Sequence, residues 1–169
     1  MAKSALKRTS ELLAFGEFVV EGGANTFTQN QITLPLNSLD REVFVVTDVM
    51  FQSSDPEVIA GTDTAIFMQV TKSSQTALQN ISNFDVIATN ALSIQDGTVG
   101  FENRSVPQQA TTGSVTDYIA IVATENMFVA LQGVNNLAAK DVGVRIIGYR
   151  AQADSGTYSA LIASELGSQ

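Results

Sequence analysis

The sequence contains neither cysteine nor histidine. Without cysteine the chain has no disulfides, no thiolate nucleophile and no cysteine-ligated zinc or iron–sulfur centre. Without histidine it lacks the commonest general base, the usual catalytic triad and the commonest transition-metal ligand. Carboxylate pairs, lysine and tyrosine remain available, so these absences disfavour an enzyme without excluding one. We therefore predict no catalytic residues and no cofactor.

Charged side chains are also scarce. They make up 15% of the 169 residues, whereas about 25% is usual in a soluble domain. Because interface cores are depleted in charged residues, such a surface suits a protein whose faces are covered by neighbouring molecules. A β-rich domain with many threonine, asparagine and glutamine residues in its loops would have the same composition, and this alternative stays open.

The two signs of charge are unevenly distributed. Lys3, Lys7 and Arg8 outweigh Glu11 in residues 1–13 and give this segment a net charge of +2, although the whole chain carries −8. The rest of the chain therefore carries −10, and an acidic body repels phosphate. Only the N-terminal arm is then suited to contact nucleic acid or anionic lipid. A solvated terminus is the alternative interpretation.

The body of the chain is predicted to form strands, because its apolar runs are rich in valine, isoleucine and phenylalanine. The strongest candidates are residues 42–52, 64–72, 117–124, 127–132 and 142–150. Weaker candidates are residues 17–21, 26–36, 84–88, 93–95 and 98–101. Their spacing predicts an all-β fold: an antiparallel β-sandwich of the jelly-roll type, with about eight strands and short terminal helices or arms.

Residues 42–52 carry apolar side chains on both faces. Strict alternation places Val49 and Phe51 on the same face as Val45, opposite Val46. A strand with two apolar faces is expected to be covered on both sides, at least along its first half.

Short turn-forming pairs predict three hairpins. Gly22-Gly23, Asp96-Gly97 and Glu125-Asn126 each separate two strand candidates. The Asp-Gly pair is the most typical hairpin turn of the three, since it accepts the positive φ angles of a type I′ turn.

Helices are predicted only at the two ends. An N-terminal helix has Leu6, Thr9, Leu12 and Leu13 on one side. These ends define three parts: a basic arm at 1–13, a sandwich domain at 14–151 and a C-terminal helix or tail at 152–169.

The C-terminal helix begins at Asp154 or Ser155, either of which can cap it, and ends at Gly167. Its apolar stripe comprises Tyr158, Leu161, Ile162 and Leu166. The stripe needs a partner, and two alternatives stay open: packing on its own sandwich or contact with an adjacent subunit.

Three acidic residues of one loop, Asp55, Glu57 and Asp63, are candidate calcium ligands, because calcium accepts carboxylates and loop carbonyls in loose geometry. Their spacing matches no EF-hand loop, and acidic residues are common in loops. We therefore predict no metal site.

Several features of the sequence resemble a known family: residues 126–136 (NMFVALQGVNN), residues 144–150 (VRIIGYR), the basic arm, and the cysteine-free, charge-poor body. They are similar to the single jelly-roll capsid proteins of tailless icosahedral viruses of bacteria or archaea. The resemblance is architectural, covers nearly the full chain and includes no diagnostic motif.

The resemblance implies a structural subunit of a virion, made in the host cytoplasm. Its partners would be copies of itself, arranged as pentamers or hexamers of a shell, and other virion proteins. Lys3, Lys7 and Arg8 would point inward toward the genome or an internal membrane. Two alternatives remain: a monomeric extracellular binding module, such as an adhesin or carbohydrate-binding sandwich, and a decoration or spike protein of a virion.

Overall fold

Two antiparallel β-sheets face each other across a hydrophobic core. The computed structural model describes residues 6–97, 100–106, 110–111 and 118–167, and the side chains of 6–95 and 118–167. The strands are β1 Leu6–Arg8, β2 Leu13–Val20, β3 Thr28–Thr33, β4 Glu42–Ser53, β5 Thr64–Thr71, β6 Val86–Gly97, β7 Gly100–Val106, β8 Ala110–Thr111, β9 Ala120–Val122, β10 Asn126–Val134 and β11 Asp141–Ala153. A 3-10 helix, Ser38–Asp40, precedes β4, and helix α1, Ser155–Leu166, follows β11.

The strand order is that of a jelly roll. Sheet A has β11 beside β4, with β1 and β2 on the outer side of β11 and with β8 and β9 on the outer side of β4. Sheet B has the order β3-β10-β5-β6-β7. The chain crosses between the sheets after β2, β3, β4, β7, β9 and β10, as it does in paired Greek keys. Eight strands have six or more residues, so the predicted sandwich of about eight strands is confirmed.

The core lies between the two sheets. Both sheets contribute fully buried aliphatic side chains, among them Val46, Val49 and Ile146 from sheet A and Val129 and Leu131 from sheet B. Burial of each such side chain stabilises the fold by about 1.5–3 kcal/mol. This burial is the main force that holds the sheets face to face.

A β-bulge in β4 changes which side chains share a face. Ile147 of β11 pairs with Asp48, but the next residue, Gly148, pairs with Val46, so Thr47 is an extra residue in β4. The Thr47 hydroxyl donates a hydrogen bond to the Ile147 carbonyl (3.2 Å). One extra residue reverses the alternation of every side chain beyond it.

The predicted faces of β4 were therefore wrong beyond the bulge. Val49 and Phe51 lie on the core side with Val46, whereas Val45 belongs to a second cluster on the opposite face. The prediction for the first half of the strand is confirmed, because residues 43–46 are at most 1% exposed and are covered on both sides.

Two of the three predicted hairpins are wrong. β2 pairs with β11 over eight residues, and β3 pairs with β10 over six, so the chain at Gly22-Gly23 connects the two sheets. Likewise β9 pairs with β4 and β10 with β3 and β5, so Glu125 lies in a connection between the sheets and Asn126 is the first residue of β10. β2, β3 and β10 each form a ladder of six or more residue pairs with a partner that is distant in sequence, and these ladders outweigh a local hairpin.

The third hairpin is present but its turn lies further along the chain. β6 and β7 pair antiparallel through to Gly97 and Gly100. Asp96 and Gly97 thus belong to β6, because the ladder extends past the predicted turn. Residues 98–99, which connect the two strands, lie outside the described residues.

The N-terminal helix was a wrong prediction. Leu6–Arg8 form β1 and pair with residues 151–153 at the end of β11. The backbone N–H of Thr9 also donates to the Arg150 carbonyl (2.8 Å). The backbone groups of this segment are satisfied by a strand partner, which a helical pattern of leucines does not reveal.

The C-terminal helix is confirmed. The Asp154 side chain caps α1 by accepting a hydrogen bond from the Thr157 N–H (2.8 Å). This bond, which favours the charged carboxylate, is the main reason that the pKa of Asp154 lies below its ordinary value. Gly167 follows the last helical residue, as predicted.

Replacement of Gly148 by alanine should destabilise the protein. A Cβ at this position would lie 2.7 Å from the ζ carbon of Phe44 and would overlap the Val45 carbonyl oxygen. We expect Gly148→Ala to lower the free energy of unfolding by about 1–3 kcal/mol or more, as overpacked sites do, measured by urea denaturation. Gly143→Ala in the same strand is the control, since its nearest atom would be 3.7 Å away. Equal stabilities of the two variants would contradict the steric argument.

Candidate functional site

Three loops meet at one end of the sandwich, here called the loop end. They are residues 21–27 between β2 and β3, residues 54–63 between β4 and β5, and residues 135–140 between β10 and β11. All three connect one sheet to the other, and hydrogen bonds between them hold them together.

Glu21 is a buried carboxylate that ties the loop end together. It is 5% exposed and accepts hydrogen bonds from the backbone N–H groups of Gly133 (2.5 Å), Lys140 (2.9 Å) and Asn25 (3.4 Å). These donors compensate for the burial of the charge. Position 133 has no room for a side chain, because a Cβ there would lie 2.9 Å from the Asn136 Nδ2 and 3.1 Å from a Glu21 oxygen.

Two asparagines extend this network. The Asn25 side chain makes two bonds with the Asn136 backbone, since its Nδ2 donates to the Asn136 carbonyl and its Oδ1 accepts from the Asn136 N–H, each at 2.8 Å. The Asn136 amide also donates to the Ala65 carbonyl (2.8 Å) and accepts from the Glu57 N–H (3.1 Å). Asn25 and Asn135 have φ angles of 63° and 56°, a left-handed conformation that asparagine tolerates better than most residues.

Glu57 joins the second loop to the third. Its carboxylate accepts hydrogen bonds from the N–H groups of Leu137 (2.5 Å) and Ala138 (3.1 Å) and pairs with the Lys140 ammonium (3.1 Å). The Leu137 bond is the main reason that the pKa of Glu57 lies below its ordinary value of 4.5, and Lys140 adds to the effect. A carboxyl group whose pKa is lowered by folding stabilises the folded state fully at pH values above its pKa in the unfolded chain. This stabilisation is lost as the pH falls through the pKa of the folded state. The Glu57 contact therefore weakens below about pH 4.5.

The candidate calcium ligands lie in this loop but do not form a cluster. Asp55 and Asp63 are exposed, whereas the Glu57 oxygens bind backbone N–H groups and Lys140. Among the residues whose positions the structure describes, no group of three acidic side chains is placed to hold a metal ion.

The loop end exposes an apolar surface, here called the tip. It comprises Val58, 61% exposed, and Leu137, 81% exposed. Val58 follows Glu57 in the chain, and the Leu137 N–H donates a hydrogen bond to the Glu57 carboxylate. The exposed Asp55 lies in the same loop as Val58.

The helix α1 covers one half of the outer face of sheet A. Tyr158, Leu161 and Ile162 pack against a cluster that includes Val45 and Ala151. Three of the four residues predicted to form a subunit contact thus lie against their own sandwich. The fourth, Leu166, is 58% exposed, and its contact with a neighbouring subunit stays a prediction.

A second buried carboxylate fixes the helix in place. Glu165 is 3% exposed and accepts hydrogen bonds from the N–H groups of Ala123 and Thr124, both at 2.9 Å. These two residues directly follow β9, so the carboxylate supplies the partner that a neighbouring strand would otherwise provide.

The other half of the outer face of sheet A holds an open groove of about 600 Å³. Phe18, 60% exposed, and Met50, 38% exposed, line it. Gly16 and Gly143 are lining positions without side chains, and the exposed Arg145 lies between Gly16 and Met50 in the strand register. We call this surface the sheet A groove.

The basic arm is partly incorporated in the sheet. Lys7 is exposed on β1. The Arg8 guanidinium stacks over the Tyr149 ring at 4.7 Å, and its Nε donates to the Ser10 carbonyl (2.7 Å). Lys3 lies outside the described residues. Whether the arm faces the inside of a particle stays a prediction.

Sequence reasoning missed the burial of Glu21 and Glu165, and it missed the groove. Glu21 stands at the end of an apolar strand beside Gly22, where an exposed turn residue is the usual expectation. Glu165 had one available signal, because it lies between Ile162 and Leu166 near the apolar stripe of α1. The groove depends on the pairing of β2, β11 and β4, which no local pattern predicts.

Among known proteins, matches to this chain were found only with solved structures. No protein-family model matches the sequence, and no curated protein matches it. VP1 of Trichodysplasia spinulosa-associated polyomavirus matches with 8% identity and a TM-score of 0.45, over 89% of this chain and 100% of that one. A Desmodium yellow mottle tymovirus structure matches with 8% identity and a TM-score of 0.32, over 92% of this chain and 97% of that one. Such low values say nothing about what this chain does.

Helix α1 is the only α-helix in the part of the chain that the structure describes. Neither it nor any other described segment forms a helix of sufficient length and hydropathy to span a membrane.

Replacement of Glu21 by glutamine should weaken the loop end. The amide has nearly the same shape, but one carboxylate oxygen becomes a donor group that faces backbone N–H groups. We expect a loss of about 1–3 kcal/mol in the free energy of unfolding, the usual cost of a buried group left without a partner, measured in urea. Glu17→Gln is the matched control, because Glu17 accepts a side-chain bond from Asn30 (2.9 Å) that an amide oxygen can also accept. A similar loss in the control would contradict a specific role for Glu21.

Proposed function

We propose that the protein is a structural subunit of a viral shell, which assembles with copies of itself and is located in the virion. The observation that carries this proposal is the apolar outer face of sheet A that α1 leaves uncovered. Phe18 and Val20 of β2 are 60% and 50% exposed, and Met50 of β4 is 38% exposed.

An antiparallel sheet with one face in water normally carries polar side chains on that face. Exposed apolar side chains that lie together indicate a surface that another molecule covers. The charge-poor composition supports the same conclusion, since charged residues are depleted in interface cores. A subunit that is covered by its neighbours accounts for both features.

The jelly-roll fold is compatible with a shell subunit but does not imply one, because the same fold serves lectins and cupins. The more specific parts of the proposal rest on the sequence resemblance. They are assembly through pentamers or hexamers, contact with other virion proteins, and a virus that infects a bacterium or an archaeon. A non-enzymatic role is instead supported by the lack of cysteine and histidine.

Purified protein should form rings or particles, observed by light scattering and negative-stain electron microscopy. Burial of Phe18 is worth about 1.5–3 kcal/mol, so Phe18→Ser, alone or with Met50→Ser, should raise the concentration needed for assembly roughly tenfold or more. Leu39→Ser is the control, since Leu39 is 92% exposed in the 3-10 helix, away from sheet A's open half. A wild-type protein that stays monomeric at high concentration would contradict the proposal and favour the monomeric binding module.

We further propose that the arm faces the interior of the particle. Lys3 and Lys7 would contact the genome or an internal membrane, whereas Arg8 also holds the arm against Tyr149. Lys3→Gln with Lys7→Gln should lower the nucleic acid content of purified particles or their affinity for anionic vesicles, more so at low salt. Particles whose nucleic acid content and vesicle binding are both unchanged would rule out this role.

A further inference from the structure

We infer that the tip of one copy docks in the sheet A groove of the next copy, so that subunits join head to tail. This inference deepens the proposed function and rests on it. It assigns the contact to two different surfaces of the same chain: Val58 and Leu137 on one subunit, Phe18, Met50 and Arg145 on the other.

The tip is built to hold its apolar side chains in place. The Leu137 and Ala138 N–H groups both bind the Glu57 carboxylate, and the Glu57 N–H binds Asn136. The backbone on both sides of the contact surface is therefore fixed before any partner arrives. A contact between preorganised groups loses little conformational entropy, which favours binding.

The groove offers a complementary shape. Its volume of about 600 Å³ is open to solvent, and Gly16 and Gly143 leave room between the side chains of Phe18 and Met50. Leucine and valine side chains are compact and branched, so they can enter such a gap and cover both apolar walls. The described residues place no side chain of the same molecule over it, since α1 lies on the other half of the face.

Charge selects the partner. The chain carries a net charge of −8, so two copies repel each other unless their contact joins opposite charges. The groove bears the exposed cation Arg145, and the loop of the tip bears the exposed anion Asp55. Opposite charges at a contact guide association and fix its register. A second copy of this chain therefore satisfies both the apolar and the electrostatic requirements of the groove.

The position of the two surfaces determines what the contact can build. The groove lies next to the loop end, because Phe18 and Gly143 lie a few residues from the ends of β2 and β11 that join these loops. A contact between two different surfaces can repeat from copy to copy, and it closes into a ring if the rotation per subunit allows.

A charge exchange tests the pairing. We expect Arg145→Glu and Asp55→Lys each to weaken assembly roughly tenfold or more, and the double variant to recover to within about threefold of wild type. Glu125→Lys is the matched control: Glu125 is also exposed, but it lies in the connection between β9 and β10, near the opposite end of β10 from the loop end. Arg145→Glu combined with Glu125→Lys should not recover. Circular dichroism should show that every variant is folded.

The lack of cysteine allows a second measurement. Leu137→Cys and Met50→Cys in one chain should yield a ladder of disulfide-linked oligomers under oxidising conditions, whereas either variant alone should yield none beyond dimers. Normal assembly of Arg145→Glu would overturn the inference and leave the proposed function standing, with another occupant in the groove. Lost assembly that Asp55→Lys does not recover, or the absence of a ladder, would also overturn it. A monomeric wild type would instead refute the proposed function itself.

Discussion

The close approach of Gly148 to Val45 is the constraint on which the rest of the structure depends. It lets β11 pass the extra residue of β4, Thr47, without breaking the ladder. The ladder between these two central strands continues on both sides of the bulge, and the alternation of β4 is reversed across it. Val45 faces outward before the bulge, and Val49 faces the core after it. A single inserted residue therefore allows one strand to supply the sandwich core along its whole length.

The same bulge divides the outer face of sheet A into two halves with different roles. Before it, Val43 and Val45 form a surface that α1 covers with its own apolar side chains. After it, Met50 faces outward beside the groove, and no described helix covers this half. The covered half is internal structure, and the uncovered half is the surface that we assign to assembly. Helix α1 ends where Glu165 binds the N–H groups after β9, so its position is set by a specific bond as well as by apolar contact.

Three glutamates show how a chain with few charges uses them. Glu21, Glu57 and Glu165 bind backbone N–H groups at places where the chain leaves the sheets. The donors that Glu21 and Glu165 satisfy have no strand partner and would otherwise be costly to bury, whereas the partly exposed Glu57 binds exposed donors and Lys140. Because several of the acidic residues are engaged internally, the exposed surface is even poorer in charge than the composition indicates. The rigid loops that result present Val58 and Leu137 without further ordering.

The sequence by itself determined the class of fold, the approximate number of strands and the capped helix after Asp154. These depend on alternation, β-branched content and capping, which act between residues a few positions apart. The tertiary structure alone decided the partner of each strand, the bulge at Thr47, the burial of Glu21 and the existence of the groove. Thr47 and Ile147 are 100 residues apart, and Glu21 is 112 residues from Gly133. The energy of such contacts depends on which strands are neighbours, and a local pattern of side chains does not contain that information.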